Sequence, residues 1–239
     1  MQRVTVEDVP SWSYRGLELF MLVPPLLAAL LGLGLVAFGV MSFTSGGSGA
    51  GTGASAAGGA TAGTGFMALA GGIAIVWLLA IVFGLVSVVA VPLLLYFDAK
   101  QVADEELDWE PDPVLYLVGG FFVSGLAVLH YLYKRHQYVV DWVGSETWWY
   151  VVLAGAALGI VGVVSGFVEP MLFGVALLAF PMVTIGIYRD AIYVRLNSDW
   201  RPNPVNHFLI ALFAAVLAVP GFLYFGYYGY KRHANLGLI

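Results

Sequence analysis

Apolar residues run along this chain in six long continuous stretches separated by short polar connections, without the alternation of a half-buried strand. The stretches lie near residues 18–42, 67–97, 114–133, 148–168, 171–193 and 206–230. Each approaches or exceeds the roughly 20 residues that a helix needs to cross a hydrocarbon core about 30 Å thick. Continuous apolar runs predict helices, because backbone groups in lipid must be satisfied within the segment. The expected fold is therefore all-α, a polytopic transmembrane helical bundle of about six spans. The polar opening "MQRVTVEDVPSWSYRGL" and the long run that follows are unlike a signal peptide, so the first stretch is read as a retained span.

Between the first two stretches lies "SGGSGAGTGASAAGGATAGTG", at 45–65, which predicts a mobile loop. It lacks the Lys and the strand-to-helix setting of a phosphate-binding loop. Pro24, Pro25, Pro92, Pro181 and Pro220 fall inside predicted spans and predict kinks. Trp12 and Tyr14 precede the first span, and Trp109, Trp142, Trp148, Trp149 and Trp200 stand near span ends, where amphipathic rings anchor at the headgroup level.

Three short patterns occur twice and in the same order. They are Y-x-D-A-x-x-V at 96–102 and 188–194, D-W-x-P-x-P at 108–113 and 199–204, and YKRH at 133–136 and 230–233. Their displacements are 92, 91 and 97 residues, which points to a three-helix unit repeated: residues 1–147 with the N-terminal segment and Gly/Ser-rich loop, then 148–239. With an odd number of spans per unit, the second copy is expected to be inverted. That construction recurs in secondary transporters, which place a site between their halves. Counted on this topology, Lys and Arg divide five to five between the two faces, so the positive-inside rule assigns no orientation.

Composition agrees with a membrane protein: 60% of the 239 residues are hydrophobic, 10% are charged, and mean hydropathy is +0.87. There is no cysteine, hence no disulfide and no thiolate site. Acidic residues outnumber basic ones by 15 to 10 and gather between Asp98 and Val114, which does not suit nucleic acid.

Candidate chemistry is sparse. Asp98 and Asp190 stand where an apolar run gives way to polar residues, either to bind a cation or proton, to pair with Arg or His, or to fix a helix exit. Lys134, Arg135 and His136, with Lys231, Arg232 and His233, are placed to snorkel towards phosphate headgroups or to bind an anionic substrate. Asp108 and Asp199 are expected to cap a turn, with Trp109 and Trp200 as interface anchors. Glu169 stands in a short connection, and Asp141, Glu146, His130 and His207 lie near span ends. No metal-ligand spacing, cofactor motif or catalytic motif is present, so no metal, cofactor or enzymatic activity is expected. Expected partners are membrane lipids, with a protein partner or a homo-oligomer also compatible.

The motifs Tyr96-x-Asp98-Ala99, Asp108-Trp109-x-Pro111-x-Pro113 and Tyr133-Lys134-Arg135-His136, with the acidic bias and three lysines, resemble polytopic membrane proteins of halophilic archaea. That resemblance implies a cell type and no catalytic role. The function expected is a structural or accessory component of the cell membrane, the alternative being a small-solute or ion transporter or channel with its site between inverted halves.

Overall fold

The computed structural model describes residues 12–46, 56–105, 107–139, 145–216 and 218–236. All regular elements among them are helices: α1 (Trp12–Gly46), α2 (Ala56–Ala103), α3 (Pro113–Phe122), α4 (Ser124–Tyr138), α5 (Thr147–Gly166), α6 (Phe173–Asn197), α7 (Pro204–Val216) and α8 (Ala218–Leu236), with a 3-10 turn at Pro170–Leu172. Four helices are long and apolar enough to cross a membrane, within Trp12–Ser42, Ala70–Ala103, Thr147–Gly166 and Pro170–Asn197. They coincide with the first, second, fourth and fifth predicted spans.

The third and sixth predicted spans are not straight helices. Each is divided in two and folds back on itself. The Tyr116 and Tyr131 rings are 4.8 Å apart, and the Cβ that Gly119 lacks would lie 3.6 Å from that of Ala127. On a straight helix, 1.5 Å per residue would separate Tyr116 from Tyr131 by about 22 Å. Likewise His207 on α7 lies 5.3 Å, ring to ring, from Tyr228 on α8. Helix α3, at 10 residues, is about 15 Å long, half of what a crossing requires.

Cap chemistry starts both hairpins. Asp112 accepts from the amides of Val114 and Leu115, and Asn203 accepts from Val205, so the caps lie four residues beyond Asp108 and Asp199, the positions expected from sequence. Pro113 and Pro204 follow as the first helical residues, where a missing amide costs nothing.

Close approach of backbones fixes the pairing of the long helices. Gly162 of α5 lies directly against the backbone of Ala176 on α6, and Gly186 of α6 against Val152 of α5. Gly16 and Gly34 of α1 face Leu94 and Ile73 of α2, and Gly174 of α6 faces Leu33 of α1. These contacts make α1 antiparallel to both α2 and α6, and α5 antiparallel to α6, so α1 and α5 point the same way. Gly120 of the first hairpin rests on Pro92, where a bulkier residue could not enter.

Of the Gly/Ser tract, residues 47–55 lie outside the described residues, as do Asp141 and Trp142, whereas Ala56–Gly65 continue α2 upstream instead of forming a loop. Alanine, the best helix former, offsets the glycines there.

Adding a methyl at Gly162 is expected to lower the melting temperature of the detergent-purified protein, with overpacking costing about 1–3 kcal/mol. Gly84→Ala, where the added methyl meets open space, is expected to be neutral or stabilising by up to about 1 kcal/mol. Equal losses for both variants would contradict the packing described.

Candidate functional site

The polar side chains that matter converge at one end of the bundle, in two adjoining clusters each built on an Asp, a Tyr and an Arg. In the first, Asp98 near the end of α2 receives Arg135 Nε at 2.6 Å, with the Arg135 terminal nitrogen at 3.4 Å from its other oxygen. Tyr131 donates its hydroxyl to Asp98 Oδ2 at 2.6 Å, and Ser13 donates to Oδ1 at 2.9 Å. In the second, Asp190 on α6 receives Arg232 Nε at 3.2 Å from both of its oxygens and the Tyr228 hydroxyl at 2.8 Å. Arg232 also reaches the half-exposed Glu146 at 3.6 Å. Asp98, Arg135, Asp190 and Arg232 are each 0% exposed.

An aromatic ring lies under each guanidinium. Arg135 stands 4.3 Å from the Tyr14 centroid and Arg232 4.8 Å from that of Trp149, distances at which the negative ring face attracts a cation. Trp109 then packs on Tyr131 and Trp200 on Tyr228, with ring centroids 5.7 and 5.5 Å apart. These two tryptophans were expected as interface anchors. They are only partly buried, and their contacts show that they also wall the clusters.

Tyr14 joins the clusters. Its hydroxyl donates to Glu18 at 3.0 Å and lies 3.3 Å from the Tyr188 hydroxyl. Tyr188 in turn meets His136 Nε2 at 3.0 Å, and Glu18 pairs with Arg189 at 2.8 Å. Tyr188 precedes Asp190 by one turn's half, so a single helix segment carries both the bridge and the second carboxylate. Both YKRH boxes therefore stand at the same end of the molecule. The expectation of an inverted second copy rested on straight third and sixth spans, and with both folded back the two boxes lie at one end.

The sequence-derived candidates separate cleanly. Asp98, Arg135, His136, Asp190 and Arg232 are brought together, and the two arginines are buried rather than snorkelling. Lys134 and Lys231 are partly buried beside them, while His233 is exposed. Glu169 lies apart, exposed, where it caps the 3-10 turn by accepting from the Met171 amide at 3.4 Å. His207 and His130 pair with Tyr224 and Tyr116 inside the hairpins, at 2.6 and 3.1 Å. Ser13, Glu18, Tyr131 and Tyr228 were not singled out from sequence, while Tyr14 and Trp149 were expected only as interface anchors and Tyr188 only as the first residue of a repeated pattern. For Tyr131 and Tyr228 the signal was present: the shared box is Y-x-Y-K-R-H, two residues longer than YKRH.

Burial, with the guanidinium groups of Arg135, Arg195 and Arg189 nearby, holds His136 well below the usual imidazole range. It is neutral in the folded state at neutral pH and contributes no cation to the cluster. Among the described residues no group of three or more His, Cys, Asp or Glu could hold a metal ion. Chemically, the arrangement neutralises charge and ties helices together: every oxygen of the two aspartates is engaged by protein donors. No family model, curated protein or solved structure matches the chain.

Two expected outcomes follow from this geometry. Asp98→Ala strands a buried guanidinium and should cost about 3–5 kcal/mol, while the double variant Asp98→Ala with Arg135→Met should recover most of that loss; unfolding in denaturing detergent measures both. Because His136 has a depressed folded-state pKa, the unfolded chain binds the extra proton, and stability should fall as pH drops below about 6.5. His136→Gln should flatten that acid-side slope, measured by melting temperature between neutral and acidic buffers.

Proposed function

We propose that this chain is an integral membrane protein with a structural or accessory role, built from two same-facing copies of one unit: two long helices followed by a hairpin that dips in and returns. The observation that carries this reading is the pair of buried Asp–Tyr–Arg clusters. Their members occupy corresponding places, with the Asp near the end of α2 or α6 and the Tyr and Arg one turn apart on α4 or α8. The cap and proline that open each hairpin correspond as well.

The charged groups are consumed by each other. A permeation pathway would call for polar groups facing an open path between the halves, whereas the cavity there, about 480 Å³, is walled by residues such as Phe20, Phe83, Leu129 and Phe180. The role proposed is accordingly non-enzymatic and non-conducting.

Orientation follows from the same topology. With both hairpins returning to the cluster end, every described Lys and Arg lies at that end, from Arg15 beside Tyr14 to Arg232, and the five-to-five division disappears. Towards the opposite end, residues 38–46, 56–80 and 160–180 contain no Lys or Arg. By the positive-inside rule the cluster end faces the cytoplasm.

Single cysteines at Gln137 and Ala234, in a chain that has no cysteine of its own, test this. Both should resist an impermeant thiol reagent on intact cells and react in opened membranes. Reaction of one but not the other on intact cells would overturn the same-facing arrangement. Reconstituted protein should leave vesicles tight to protons and small ions; a leak that Asp98→Asn changes would favour a transporter instead.

A further inference from the structure

The cavity between the halves has a location and a chemistry that select an occupant. One wall is the stretch of α1 from Phe20 to Ala28, where Pro24 and Pro25 remove two amide donors and loosen the helix ladder. α2 contributes Phe83 and Ser87, the bend of the first hairpin contributes Ser124 and Gly125, and α6 contributes Phe180. Pro24, Ala28 and Gly125 are exposed at its rim, so it opens sideways on the outer surface of the bundle. Pro24 and Ala28 of the rim lie in the interior of the membrane-length helix α1 and Gly125 near the start of α4, about two to four turns from the charged clusters.

Water is poorly suited to this space. A buried water needs two to four polar partners, and the Ser87 hydroxyl is already committed to the Gly84 carbonyl at 2.7 Å. A void of about 480 Å³ is roughly three times the apolar cavity of about 150 Å³ that stays dry and takes up benzene or xenon. Left empty, it would forfeit the dispersion contacts of its aromatic lining. One helical turn with its side chains, about 10 Å across and 5.4 Å high, takes up roughly 420 Å³, so a membrane-length helix of about five turns from a second copy exceeds the void several-fold. A flexible methylene chain has the right cross-section and enters from the side.

We propose that this cavity is a binding site for the hydrocarbon chain of a membrane lipid, held between the two halves beneath the bridging Tyr14–Tyr188 contact. The inference rests on the membrane reading above. Its selectivity is for an apolar chain, with the double proline on α1 and the bend at Ser124–Gly125 as the two flexible edges of the mouth.

The probe is a phosphatidylcholine carrying a photoactivatable diazirine in its acyl chain, titrated against the full-length protein in proteoliposomes diluted with unlabelled lipid. Crosslinks mapped to 83–91 and 124–129 should saturate, while those on the exposed face of α2 at 75–82 should rise in proportion to probe. Ser87→Phe combined with Gly125→Phe should lower the saturable component by about fivefold or more. Ser87→Leu, a smaller filling that leaves the hairpin untouched, should lower it by a lesser factor and raise the melting temperature. Proportional labelling everywhere, or saturable labelling indifferent to the fillings, would overturn the site. Release of the protein from membranes by an alkaline carbonate wash would instead overturn the membrane reading itself, whatever the labelling pattern.

Discussion

Two carboxylates and two guanidiniums removed wholly from water impose the strictest condition on this fold. An isolated charge in such a place costs many kilocalories per mole, and a pair is tolerable only if its geometry and its remaining hydrogen bonds are nearly complete. Asp98 meets that condition with Ser13, Tyr131 and Arg135, drawn from α1 and α4. Three helices must therefore end at one level and in one order around it. Asp190 imposes the same condition on α6 and α8, with α5 supplying Trp149 beneath the guanidinium.

Helix α1 has a second task. Tyr14 lies beneath Arg135 on one side and touches Tyr188 on the other, and Glu18, one turn on, holds Arg189. The first turns of α1 thus join the two clusters, while the small residues further along α1, α5 and α6 let the backbones approach closely enough to keep these donors in register. Apolar packing alone would permit helices to slide or rotate; the buried network selects one arrangement. Its two clusters are not equally tight, since Arg232 divides its contacts between Asp190 and Glu146.

Helical character and the four long apolar helices were legible from hydropathy, because continuous runs of that length have few other solutions. The folding back of the third and sixth runs was not, since a run of 20 apolar residues looks the same whether it crosses or reverses. Faint signs existed: Ser124-Gly125 and Pro220-Gly221 are turn-forming dipeptides in the middle of those runs. Read as breaks, they would have removed the inference of inversion. Asp98 and Asp190 were found by repetition and position, but their partners were not. Which of several basic residues near a helix end turns inward depends on the hairpin that carries it, and only Arg135 and Arg232, each one turn beyond a Tyr that binds the same carboxylate, face the aspartates.

The order of these partners along the chain also sets a clock. Each carboxylate precedes its arginine, Asp98 by 37 residues and Asp190 by 42. At synthesis rates of about 5–20 residues per second, each aspartate exists for roughly 2–8 s before the group that neutralises it has been made. During that interval α2 or α6 ends in an unpaired acid, whose preferred place is at the water boundary. Hairpin closure is what ends the wait, so the shortest helices in the protein govern when the longest ones become final.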